Sequence, residues 1–358
     1  MDPNQLIPTP DVLSAPWELF NLLLVGTFTL HLLAANIMLG ALFVVFWYSI
    51  KNRTPKIPDP PDRLISRKLP IAIAFTINLG VPPLLFLQVI YGNFIYVSSV
   101  LMAVYWLSLF VLIILAYYGV YLFNFKYDSL ARRRSWVMGL VIALILVVGF
   151  FFTNSLLLMI DPKSWTRYFS EPWGRIIHTA EPSLVPRYLH FVLASLATGG
   201  LIMGLIGWWK EKQGETEAGE TFSQGLFFYA LVTMLQFLVG AWYLGTIPQG
   251  ALAQIMFEGR VIFPIFLLSV ILGITSILFG FSRLPWHTTI TFVLTVLFMV
   301  LFRYAVRGFY LQPYIENNRP ESAYQFSPVF LFLIVLLIGI ASVTYVIRLA
   351  LRNRREPS

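Results

Sequence analysis

Four histidines and no cysteine stand in the 358-residue chain. Without thiols there can be no structural disulfide, iron–sulfur cluster, covalently attached c-type haem, thiolate zinc site or thiol nucleophile. Imidazole is left as the strong ligand and proton carrier. His31 lies deep in a long apolar run, roughly 14 residues after Trp17, so about 20 Å along a helix. It has Ala34 and Ala35 at the next turn. His190 sits in PRYLHFVLASLATGG, with Ala194 and Ala197 at helical spacing. Small residues beside an imidazole leave room for a flat macrocycle, and they equally suit close helix packing. His178, in the outer loop, and His287, at the inner start of the eighth span, read as interfacial and take no ligand role.

Cations sort with His190. Arg187 is one turn earlier, and Arg260, Arg303 and Arg307 fall at the same end of later apolar runs. Haem propionates would need such partners, because a buried anion must be paired. The plainer reading is that these arginines snorkel to lipid phosphates. Met256 stands at a depth that would suit a sixth ligand, although methionine also fills cores.

The elements that must position these residues are membrane spans. The chain is 58% hydrophobic and 12% charged, with mean hydropathy +0.75. Soluble domains are about 45–50% apolar and about 25% charged. The excess excludes a soluble globular enzyme, a disordered tail and a nucleic-acid binder. Nine stretches reach the roughly 20 apolar residues that a spanning helix needs: 17–50, 69–94, 97–125, 136–160, 186–209, 222–246, 260–281, 286–309 and 327–349. The fold class is therefore all-α, a polytopic membrane protein and a single transmembrane domain over 1–358. Two helix bundles, 17–160 and 186–309, and a ninth helix at 327–349 are expected. The first 16 residues hold no Lys or Arg, unlike the basic region of a cleaved signal peptide, so the first span is read as retained. Of the 25 Lys and Arg, 17 lie on one side of the nine-span alternation and eight on the other. That bias predicts an outer N-terminus and a cytoplasmic C-terminus, as in a bacterial or archaeal cytoplasmic membrane.

Two further features bear on function. Apart from Glu18 and Glu258 near span ends, no carboxylate lies within the nine spans. Intramembrane Asp and Glu are the usual parts of proton relays and ion-coupled transport, so pump and cation-coupled transporter readings weaken. Pro82-Pro83 in the second span predicts a kink there, with freed backbone carbonyls. Asn78 and Gln88 flank it; a quinone pocket or a cofactor wall could use such a site, and simple helix packing is the plainer explanation.

These residues carry a resemblance. Nine spans with histidines on the first and fifth resemble subunit I of the cytochrome bd quinol oxidases. His31 is followed by Leu39-Gly40 at the spacing of that family's first helix. Ile77-Asn78-Leu79-Gly80-Val81 is similar to its second-helix stretch. His190-x-Val with Thr198-Gly199 is similar to the fifth helix, whose histidine ligates a low-spin haem b. Arg260 resembles the arginine beside that haem, and Gln312-Pro313-Tyr314 is similar to the family's Gln-Pro-Trp. The resemblance implies one or two haems b, at His190 and His31, with quinone or quinol as substrate.

The departures are as informative. The third span, MAVYWLSLFVLIILAYYGVY, lacks the family's acidic residues, and the eighth lacks its glutamate. Ile262 stands where the methionine ligand is expected, and the quinol loop is shortened to GTIPQGALAQIMFEG. The expected function is thus a bd-like membrane cytochrome in electron transport, without oxygen reduction. It would link quinone to an outer-side, periplasmic cytochrome or other redox protein, beside further membrane subunits. Bis-His, His/Met and five-coordinate haems would differ in potential. The alternatives are a haem-free quinone-interacting anchor, similar in role to the polysulfide-reductase membrane subunits, and a non-redox channel or scaffold.

Overall fold

A computed structural model describes residues 2–51, 61–215, 218–248, 252–253, 256, 261–315, 320–323 and 326–353. Nine helices long and apolar enough to cross a membrane occur among them. They are α1 (Trp17–Lys51), α2 (Leu69–Leu101), α3 (Ala103–Phe125), α4 (Arg134–Met159), α5 (Leu184–Lys212), α6 (Ala218–Thr246), α7 (Ile262–Phe281), α8 (Pro285–Ile315) and α9 (Phe326–Asn353). No strand occurs among the described residues; a single bridge joins Leu13 to Ser322. The expected spans hold, and several helices run further than hydropathy alone suggests. α2 continues to Leu101 and α8 to Ile315, because polar or aromatic ends leave the apolar run without leaving the helix.

Apolar side chains cannot hold such helices together, since lipid is as apolar as leucine; close backbone approach and interhelical hydrogen bonds must do it. α1 and α5 meet at Gly40 and Gly199, where a Cβ on Gly40 would stand 2.7 Å from the Gly199 nitrogen. α5 and α6 meet along Gly200, Gly204, Gly207 and Gly225; a Cβ on Gly200 would lie 2.7 Å from the Tyr229 nitrogen. Hydroxyls supply the polar ties. The Thr76 hydroxyl of α2 donates to the Ala34 carbonyl of α1 at 3.2 Å. Trp106 Nε1 of α3 donates to Ser155 of α4 at 3.2 Å. Tyr229 of α6 bonds Ser276 of α7, whose hydroxyl reaches the Thr288 carbonyl of α8 at 3.3 Å.

The paired prolines do not break α2. Helical geometry runs through both, and the irregular residue is Tyr91, at φ −121° and ψ 31°. Pro82 and Pro83 withhold two amide donors, but the departure from the helix is expressed about two turns later. The span α9 is exposed along its length, as a helix apolar on all sides can be in lipid.

Candidate functional site

Two contacts fix the register of α1 against α5. The Ser195 hydroxyl donates to Asn36 Oδ1 at 2.9 Å, and four residues later on each helix Gly40 meets Gly199. Matching offsets mean that the two helices run parallel. His31 and His190 each precede their glycine by nine residues. They therefore stand at one level, about 14 Å from the glycine crossing.

Nine residues are also about two and a half turns, so each imidazole points away from the α1–α5 seam. His31 turns to α2, where Nδ1 lies 3.2 Å from the Thr76 carbonyl. A Cβ on Gly80 would come within 2.9 Å of its Cε1. His190 turns to α6, with the Gly240 position 3.8 Å from its Cε1. It faces the Gln236 backbone carbonyl, yet the buried Nδ1 has no hydrogen bond of ordinary geometry among the described residues. The two histidines thus face different helices, α2 and α6, on either side of the α1–α5 pair. The small residues that matter are Gly80 and Gly240 on the facing helices. Ala35 and Ala197 are buried against protein instead, Ala197 within the apolar cluster between α5 and α6.

Three of the four expected arginines come together. Arg187, Arg303 and Arg307 line one cavity of about 10 Å³ with Tyr243 and Val306, room for a single water. Arg187 is one turn from His190 on the same face of α5, and its Nη2 donates to the Tyr243 hydroxyl at 2.9 Å. The Arg303 guanidinium lies 4.6 Å from the ring centre of Phe28, which itself packs on His31 at 6.4 Å. Arg307 lies 5.3 Å from the ring centre of Tyr91. The cluster therefore touches the surroundings of both histidines. Among the described residues none of the three makes a salt bridge, and Arg187 Nε and Arg307 Nη1 are buried donors without partners. Met256 is half-buried. Arg260 lies outside the described residues.

The segment between α4 and α5 folds over this end of the bundle. Trp165 is fully buried, and its Nε1 donates to the Leu158 carbonyl at 2.7 Å. His178 is not at an interface but buried, with Nε2 3.2 Å from Asp161 and 3.9 Å from Glu181. Its backbone amide donates to Asn154 at 2.9 Å. Partial burial pushes the Asp161 carboxyl up, but the His178 imidazole and the Ser164 hydroxyl outweigh it and hold the group below the usual carboxylate range. His287, at the other end of the bundle, packs on Phe279 at 5.2 Å.

If a haem is bound, His31 and His190 are the residues that could hold it. Among the described residues no three His, Asp or Glu side chains converge as a metal set. Each intramembrane imidazole would offer the haem one nitrogen. A ligating histidine characteristically presents its other nitrogen to a carbonyl, which is the posture of His31 toward Thr76. The arginine donors without partners would suit carboxylates. Both histidines and the arginines stand out in the sequence as candidates, with Arg260 outside the described residues. Their neighbours Thr76, Gly80, Tyr91, Gly240 and Tyr243 do not stand out, because they lie on other helices and carry no local pattern.

Fold and site together define a polytopic helical membrane protein with two level intramembrane histidines beside an arginine cluster. No protein-family model matches the sequence, and no curated protein matches it. Among solved structures, the bd oxidase from Geobacillus thermodenitrificans is similar in fold. Its TM-score is 0.65 at 13% sequence identity, over 99% of each chain. The chain has the bd oxidase fold, at an identity low enough that residue roles must be argued from the chain itself.

Proposed function

We propose that the chain is a bd-like b-type membrane cytochrome that passes electrons between membrane quinone and a redox protein on the outer, periplasmic side, without reducing oxygen. The observation that carries this reading is the pair of level histidines beside an arginine cluster, with Arg187 one turn from His190, Arg303 on the Phe28 ring that packs against His31, and buried donors of Arg187 and Arg307 without partners among the described residues. His190 and His31 would each hold a haem b through an imidazole nitrogen. Bound haem would supply a one-electron carrier whose potential follows its ligands and burial. The chain's own part is to orient each imidazole, exclude lipid and pair the propionates through Arg187, Arg303 and Arg307. The charge bias supports an outer location for this end of the bundle, in a bacterial or archaeal cytoplasmic membrane. Spans without carboxylates support a site that does not deliver protons to oxygen. With no c-type haem motif, the circuit needs a partner subunit or soluble cytochrome.

A reduced-minus-oxidised spectrum of the purified protein tests this. A b-type α-band, abolished by His190→Ala in protein that still folds, is expected. A folded preparation without haem would refute the reading. Oxygen consumption by the isolated protein would refute its non-oxidase part. Quinone reduction from artificial donors without haem would favour the anchor-subunit alternative.

A further inference from the structure

The end of the bundle opposite the arginine cluster carries a braced basic corner. Arg134 opens α4, whose last residue, Met159, lines the arginine cavity, so the corner lies one full span away. Its centre is Tyr127. The guanidinium groups of Arg134 and Arg63 lie 4.3 Å and 5.0 Å from its ring centre, within reach of cation–π attraction. Its hydroxyl donates to Asp62 Oδ2 at 2.9 Å. Asp62 is fully buried and Arg134 is 2% exposed. Asn124 ties the same two segments again, its Nδ2 donating to the Ser66 carbonyl at 2.9 Å. The short helix Pro61–Ser66 is thereby fastened to the segment between α3 and α4.

That fastening gathers five exposed cations on one corner. Arg67 and Lys68 directly follow Ser66, Lys126 comes two residues after Asn124, and Arg132 and Arg133 precede α4. The turn that displays the last two is itself held in a costly shape. Ala131 has φ 45°, a left-handed setting unfavourable to a residue with a Cβ, and Arg134 Nε donates to its carbonyl at 3.0 Å. On these two segments the one exposed carboxylate among the described residues is Asp128, 3.5 Å from Arg63. An excess of Lys and Arg at one side follows from topology alone, but topology asks for no fixed shape. A corner braced through a buried tyrosine and a strained turn has one.

Two aromatic side chains frame the cations. Phe125, next to Lys126, is 79% exposed, and Trp136, one turn after Arg133 on α4, is 81% exposed. Cations at a span end beside exposed aromatic rings suit a molecule with an anionic head and apolar chains, such as a membrane lipid. A soluble anion would leave the rings without a partner. We propose that this corner binds an anionic phospholipid, its phosphate among Lys126, Arg132 and Arg133 and its acyl chains along Phe125 and Trp136. The inference concerns the other end of the molecule from the proposed function and rests on no part of it.

The test is native mass spectrometry of the full chain in neutral detergent, titrated with phosphatidylglycerol or phosphatidylcholine. Phosphatidylglycerol is expected to bind at least about tenfold more tightly, by a margin that shrinks as salt rises. The triple change Lys126→Gln, Arg132→Gln and Arg133→Gln should remove most of that margin. A charge-matched triple at the same end of the bundle, Lys210→Gln, Lys212→Gln and Arg283→Gln, should leave it as in the parent. Independently of any variant, phosphatidylglycerol with a photoreactive acyl chain should label residues 122–140 of the parent chain. The proposal is overturned by equal binding of the two lipids, by a margin that survives the first triple or falls equally in the second, or by label confined to other segments. Displacement of the lipid by millimolar inorganic phosphate would also overturn it, by showing a site for a soluble anion.

Discussion

Arg303 and Arg307 can be judged by what they lack. Three guanidinium groups share a cavity with a tyrosine and no carboxylate among the described residues. Like charges at such range repel, and a buried uncompensated charge is costly unless an anion joins it. Two outcomes follow for Arg303→Met. Haem retained through purification falls by about tenfold or more, measured as haem per protein. In haem-free protein the same change raises the melting temperature, because one of three repelling charges is gone. Gly80 makes a second prediction at this scale. A methyl group there would stand 2.9 Å from His31 Cε1, so Gly80→Ala must push the imidazole from its place beside Thr76. The expected cost is about 1–3 kcal/mol, read by thermal unfolding. A haem held by His31 should change its absorbance while the His190 band stays. The two histidines were legible in the sequence because imidazole is rare in a span. Their separation was not, since it depends on which neighbour each helix face meets.

At the scale of elements, the seams between helices carry the fold. The α5–α6 seam is built on glycine backbone, with Gly204 and Gly225 approaching each other and Gly200 set against the Tyr229 nitrogen. A side chain there meets main chain, which cannot swing aside. Gly225→Val is expected to cost more than about 3 kcal/mol, above the usual overpacking range, and to leave little folded protein by size-exclusion chromatography in detergent. By contrast, Gly26→Ala, with nothing within 4 Å of the added methyl, should be neutral or slightly stabilising. Spans were readable because roughly 20 apolar residues suffice to cross a bilayer. Helix continuation beyond the apolar run was not readable, as α2 and α8 show. The proline pair misled for a related reason. A missing donor leaves a carbonyl unpaired, but where the chain bends depends on the packing around it, here at Tyr91.

At the scale of the whole molecule, one end of the bundle is closed by the segment between α4 and α5, and a small polar cluster holds it. His178 sits against Asp161 at 3.2 Å and Glu181 at 3.9 Å, near Ser164. Tyr310 of α8 lies in the field of both carboxylates and Tyr314 in that of Asp161. The Asp161 carboxyl is held below its ordinary value. A depressed carboxylate contributes stability above its unfolded pKa and loses it as pH falls through the folded one. The closure should therefore hold at neutral pH and loosen in acid below about 3.9, the ordinary aspartate value. Limited proteolysis of the 161–183 segment across pH 3–6 would read this as faster cleavage in acid. Asp161→Asn should flatten the dependence.

What the sequence determined by itself was class, span number and the ligand candidates. Those follow from composition and from the energetic cost of burying polar groups in lipid, both local to each segment. What only the tertiary structure decided was assembly. The Asn36–Ser195 and Gly40–Gly199 contacts set α1 and α5 parallel and in register, which makes two histidines 159 residues apart level with each other. Residues brought together from α1, α2, α5, α6 and α8 give the arginine cluster its neighbours. Hydropathy reports how strongly each segment prefers lipid, but it is blind to which face of a helix meets which. Small residues and hydrogen bonds between helices settle that choice, and the site exists because they did.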